Sequence, residues 1–160
     1  RIPGLICLST APGLEQEQQC VERREQDELL MDRLESQGFE AFLTDWYGLP
    51  LFSSINQNDQ LIKKLNTLRS LNEPGQLRMA LRTMGNGALP SLWSKLHHFN
   101  IPVLLLSGAL DLKYCALNTR MQIAIPKCEH VIVAKGDHAF HLEKGVETAG
   151  IIHHFLRDTI

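Results

Sequence analysis

The sequence predicts an α/β protein: a parallel sheet flanked by helices and interrupted by an all-helical insertion. Three observations predict it. The apolar runs "LICL" (5–8), "IPVLLLSG" (101–108) and "HVIVAKG" (130–136) are of the kind that fill strands covered on both faces. From residue 90 onward such runs alternate with helical segments, as in a parallel sheet whose strands are joined by helical crossovers. Between residues 14 and 89 no strand pattern occurs, and the block reads as helices alone.

Taken in order, Leu5–Leu8 is a buried strand that runs into small residues and Pro12-Gly13, a loop signal. Residues 14–37 are rich in Glu, Gln, Arg and Asp, with Val21, Leu29, Leu30 and Leu34 at helical spacings; this predicts a largely solvated amphipathic helix stopped by Gly38. Further helices are predicted over 39–46 (Phe39, Phe42, Leu43 and Trp46 on one face), 59–71 (Leu61, Ile62, Leu65, Leu68) and 76–84. "PSLWSKLHHF" predicts a helix with Pro90 near its start. Then come the strand 101–108, a helix near 115–124, the strand 130–136 and a closing helix in "ETAGIIHHFLRD". The predicted domains are a core of residues 1–13 and 90–160, and a helical cap of residues 14–89.

Composition narrows the function classes. Apolar residues make up 44% of the 160 and charged residues 21%, ordinary for a globular chain able to bury a core. A formal charge of −2 gives no electrostatic case for nucleic acid or an acidic membrane surface. No apolar run approaches the ~20 residues that span a bilayer. The four cysteines are scattered without a CxxC, which reads as free thiols in a reducing compartment.

In open parallel sheets, functional groups gather beyond the carboxyl ends of the strands. "LLLSGALD" places Asp111 there, and "VIVAKGDH" places His138 beyond the next strand. An ionised Asp111 would fix the tautomer of His138 and stabilise its imidazolium, in the acid-then-histidine order of a hydrolase triad. Taken singly, Asp111 reads as a loop-initiating aspartate and His138 as a satisfied loop histidine. His138 and His141 with Cys128 and His130 form the rival zinc reading, but the spacing fits no common zinc pattern and Cys128 lies before a buried strand while the paired histidines lie after it, so no metal is expected. His97-His98 and His153-His154 are adjacent pairs on predicted helices, so their members should diverge on the surface.

The segments "STAPGL", "ERREQD", "FLTDWYGLPLFSSI", "LRS", "LPSLWSKL", "SGALDLKY" and "GDHAFHLE" occur in this order. In that order the chain resembles the 2-succinyl-6-hydroxy-2,4-cyclohexadiene-1-carboxylate synthases of menaquinone and phylloquinone biosynthesis, a family of the α/β-hydrolase superfamily. "PSLW" is similar to the version fused into the plant multifunctional protein. The resemblance implies the C-terminal half of an α/β-hydrolase fold with its cap. It also implies a carbon–oxygen lyase that removes pyruvate from a polycarboxylate substrate, with Asp111 as triad acid, His138 as triad base and His141 in support. Arg23 or Arg24 in "ERREQD" and Arg69 in "LRS" match basic cap positions, which would grip substrate carboxylates; solvated helix-face charge or edge-of-core packing is the other reading. Trp46 and Tyr47 match cap aromatics expected to wall the pocket, or simply pack the core.

The Gly-x-Ser-x-Gly elbow and the His-Gly stretch of the family do not occur in the sequence, and "GALD" stands where the family carries "GExD". With a start at Arg1, this reads as a fragment whose serine lies upstream and which is inactive alone. Two competitors remain, a carboxylesterase with the same triad and a remnant acting as an interaction module. The implied location is the cytoplasm, or the plastid in a plant or alga, with fusion to other pathway enzymes allowed.

Overall fold

The computed structural model describes residues 2–159, which divide into two compact units. One comprises the residues up to Ala11 and those from Trp93 onward; the other is Pro12–Leu92.

The first unit is built on three parallel strands, β1 (Leu5–Leu8), β2 (Val103–Gly108) and β3 (Cys128–Val133), in that spatial order. Leu5 pairs with Val103 and Leu8 with Leu106; Val103 pairs with Cys128 and Gly108 with Val133. β2 is buried along its whole length, and the two-residue period of a strand divides its side chains between two cores. Val103 and Leu105 pack with Leu96, Met121 and Ile125 on one face; Leu104 and Leu106 pack with Val133, Phe140 and Phe155 on the other. These cores are closed by α4 (Leu112–Ala124), α5 (Phe140–Glu143) and α6 (Gly145–Thr159).

Three expectations need correction here. β3 begins at Cys128 and is not covered on both faces: Ile132 is half exposed, because β3 lies at one side of the described sheet. The "PSLWSKLHHF" helix is a single stretch of 3₁₀ helix over Trp93–His98, and there the rings of His97 and His98 lie 3.8 Å apart instead of diverging. The crossover helix starts three residues earlier than expected, because Asp111 caps it.

The ends of β2 and β3 are drawn together by backbone. Ala109 N–H donates to the Val133 carbonyl and Leu110 N–H to that of Gly136, at 2.9 and 2.8 Å. Gly108 sits so close to this turn that a Cβ there would run into the carbonyl oxygens of Gly136 and Asp137.

The second unit is helical throughout its regular structure: α1 (Glu17–Tyr47), α2 (Asp59–Arg69) and α3 (Pro74–Met84), with short 3₁₀ turns at Pro50–Phe52 and Ile55–Gln57. α1 is broken where the sequence places a stop. Gly38 takes φ 78° and ψ 169°, a conformation open to glycine and strained for other residues. Asn58 caps α2 by accepting from the Leu61 amide, and Pro74 opens α3, where a missing N–H costs nothing. α1 and α3 are clasped by ions. Arg78 reaches Glu28, Asp32 and Glu35 at 2.6–2.9 Å, and Arg82 shares Glu28.

Two outcomes follow. Gly108→Ala should destabilise the strand unit by about 1–3 kcal/mol, the range for overpacking, read as a lowered thermal midpoint. Hydrogen bonds from Arg82 and then Arg78 hold the Glu28 carboxyl at about 2, below its ordinary 4.5. A depressed carboxylate stabilises the fold above its unfolded pKa and loses that effect as pH falls. Thermal melts at low salt should therefore decline from about pH 4.5 through about 2, less steeply in Glu28→Gln. The exposed setting keeps the effect small and salt-sensitive.

Candidate acid–base site

Beyond the ends of β2 and β3, Asp111 and His138 meet. Asp111 follows β2 by three residues; its side-chain Oδ1 accepts the Tyr114 amide at 3.2 Å as the N-cap of α4. Its other oxygen, Oδ2, lies 2.7 Å from His138 Nδ1. Against an ionised carboxylate, which only accepts, Nδ1 must carry the proton, and Nε2 is then left with the lone pair a general base needs. The Asp111 side chain is 3% exposed and that of His138 24%, so the acid is screened from water while the imidazole keeps an open side. His138 is carried by a tight turn. Lys135 takes φ 55°, the Gly136 N–H donates to the Val133 carbonyl, and the buried Asp137 accepts the Ala139 amide at 2.9 Å.

His141 stands at the start of the next short helix, edge-on to Phe140. Burial, followed by the positive charge His138 can carry, pushes its pKa below the ordinary 6.5, while Asp137 pulls the other way. The residues of the zinc reading are not brought together. Cys128 opens β3 at the end opposite His138, and His130 Nε2 is engaged with Ser107 Oγ at 2.7 Å. Among the described residues no group of three or more His, Cys, Asp or Glu side chains is arranged to hold a metal.

The expected cap residues lie in the helical unit. Arg23 pairs with the buried Asp27 at 2.8 Å, and Arg24 donates to the Gly87 carbonyl and to Glu17. Arg69 donates through Nε to the Tyr47 hydroxyl, and Tyr47 is buried against Phe52. Trp46 and Arg69 share a cleft of about 210 Å³ with Met31, Phe42 and Leu77; Arg23, Arg24 and Tyr47 do not line it. Two participants were not singled out from the sequence. Gly108 makes the strand ends meet, and Tyr114 both donates to Asp111 and packs its ring 4.6 Å from that of His138. For Tyr114 a signal existed, the three-residue spacing from cap to amide donor.

A parallel sheet with an acid after one strand and a histidine after the next defines an α/β-hydrolase-type core. The solved structure of a thermophilic esterase from Thermogutta terrifontis shares that fold at TM-score 0.76 and 19% identity, over 99% of this chain and 57% of that one. No protein-family model matches the chain. Its sequence is 35% identical over 157 residues to a Bacillus subtilis protein provisionally named 2-succinyl-6-hydroxy-2,4-cyclohexadiene-1-carboxylate synthase. It is 30% identical over 155 residues to the Photorhabdus laumondii protein of that name. These matches take in 98% and 96% of the chain but 57% and 52% of the relatives, so the chain spans little more than half their length. The structure of MenH from S. aureus matches at TM-score 0.93 and 32% identity, over 98% of this chain and 59% of that one. The chain is thus a homologue of the 2-succinyl-6-hydroxy-2,4-cyclohexadiene-1-carboxylate synthases, within the α/β-hydrolase superfamily.

If the charge on His138 helps depress His141, then His138→Gln should raise the His141 pKa toward 6.5. An NMR titration of the imidazole carbons would show this. An unmoved His141 would leave burial as the sole cause.

Proposed function

We propose that the chain supplies the acid and base of a carbon–oxygen lyase of menaquinone or phylloquinone biosynthesis. Its reaction would eliminate pyruvate from 2-succinyl-5-enolpyruvyl-6-hydroxy-3-cyclohexene-1-carboxylate. The observation that carries the reading is the Asp111–His138 contact, at the strand ends of a chain homologous to synthases of the product. In this reading the triad serine belongs to the part of the relatives that the chain does not span. His138 Nε2 takes the serine proton and the serine oxygen removes the ring proton beside the succinyl ketone. The electron pair forms one ring double bond, the existing one shifts and the enolpyruvyl C–O bond breaks, and the departing enolate takes the proton from the imidazolium to become pyruvate. Asp111 holds the imidazole in the required tautomer and balances its charge when it is protonated.

The substrate's carboxylates call for guanidinium partners. Arg69 is the cap arginine favoured for that role, because it lines the cleft together with Trp46. Arg23 and Arg24, each already bonded within the helical unit, are the weaker candidates for a substrate carboxylate, and Tyr47 holds the Arg69 guanidinium. His141 supports the His138 turn. No cofactor takes part. The site of action is the cytoplasm, or the plastid in a plant or alga, and no helix of the described residues is long and apolar enough to cross a membrane.

The test uses the native full-length protein. His138→Ala should lower kcat by about 10²–10⁴-fold, the range for losing a general base. Arg69→Ala should raise KM for the polycarboxylate about tenfold or more, as loss of a charge-assisted hydrogen bond requires, and leave a neutral aryl ester nearly unaffected. Tyr47→Phe, which keeps the guanidinium but removes its phenol partner, should do less. Equal losses on both substrates in Arg69→Ala would reject the carboxylate clamp and leave Arg69 a structural role.

A further inference from the structure

The Asp111–His138 hydrogen bond needs the imidazole to stay in one rotamer, and a histidine on a turn has others available. What holds it is visible in one residue that the proposed chemistry does not use. Tyr114 stands three residues after Asp111, in the first turn of α4. Its backbone amide donates to Asp111 Oδ1, leaving Oδ2 aimed at His138. Its ring lies 4.6 Å from the imidazole, centroid to centroid, with the two planes inclined at 59°. One residue thus touches both members of the pair, through main chain on one and side chain on the other.

We propose that Tyr114 is a positioning residue, whose ring confines the His138 imidazole to the rotamer that bonds Asp111. The amide contact is available to any residue except proline at this position; the ring contact is not. Lys113 places its ammonium 5.7 Å from the centre of the same ring, a second contact that steadies the phenol. The turn adds rigidity from below. Cys115 N–H donates to the Asp111 carbonyl at 2.9 Å, and the Cys115 thiol donates to the Gly108 carbonyl at 3.2 Å. The aromatic face therefore stands on a fixed helix start rather than on a loose loop. A ring contact of this kind biases the rotamers by roughly 2- to 10-fold.

The inference rests on reading Asp111 and His138 as the acid–base pair, but it can be tested without turnover. In the 160-residue chain, the Nδ1 proton of His138 should give a downfield imidazole resonance, assigned by its absence in His138→Gln. In Tyr114→Leu, which keeps the amide and apolar bulk, that proton should exchange with water roughly 2- to 10-fold faster. Tyr114→Phe, which keeps the ring, should restore the wild-type rate. Thermal midpoints separate positioning from folding, and Tyr114→Met provides a second ring-free variant should Tyr114→Leu fold poorly. Unchanged exchange in the ring-free variants would overturn the proposal, as would a Tyr114→Phe that behaves like Tyr114→Leu. If the ring effect is present but the full-length protein does not turn over the polycarboxylate, the functional reading falls while the role of Tyr114 stands.

Discussion

The close approach of Gly108 to the backbone of Gly136 and Asp137 is the constraint on which the site depends. Parallel pairing alone sets β2 and β3 side by side at ordinary strand spacing, with their following loops free to go separate ways. Here the loops are stitched: Leu110 bonds Gly136 across the gap, and the missing side chain at 108 lets the two backbones touch. Asp111 and His138 are then delivered to hydrogen-bonding distance from opposite sides of that contact. The fully buried β2 beneath supplies the stiffness, since its side chains belong to the cores on both faces of the sheet.

Asp111 is shared between the start of α4 and the imidazole of His138. One carboxylate oxygen caps α4 and the other faces the imidazole, so the helix start fixes the angle at which the carboxylate meets it. Such a fork accounts for an aspartate at this position by two independent requirements. A substitution that kept either one alone would still disturb the other. The carboxylate that opens α4 is thus the same one that meets His138.

In the helical unit the charges are mostly committed. Arg78 and Arg82 gather the carboxylates of α1, Arg24 ties down the Gly87 loop, and Arg23 covers a buried Asp27. Arg69 differs in lining an apolar cleft, with its guanidinium bonded to the Tyr47 phenol rather than to a carboxylate. An arginine pair such as that in "ERREQD" thus says little about binding until the partners of each guanidinium are known.

The sequence by itself determined the order of the three strands and the longer helices, the all-helical block between them, the break at Gly38, and the placement of Asp111 and His138 just after successive strands. These are local matters of apolar period, glycine conformation and capping, written within a few residues. The family resemblance was legible for the same reason, as ordered short segments. Only the tertiary structure decided that the two side chains touch, that β3 is half exposed, that the "PSLWSKLHHF" segment tightens into a 3₁₀ helix, and that Arg69 and Trp46 share a cleft that Arg23 and Arg24 do not line. The meeting of the two side chains and the shared cleft turn on contacts between residues far apart along the chain. Tyr114 shows the boundary within one residue. Its amide bond to Asp111 follows from a three-residue spacing, whereas its ring contact with His138 joins two loops and needed the fold to bring them together.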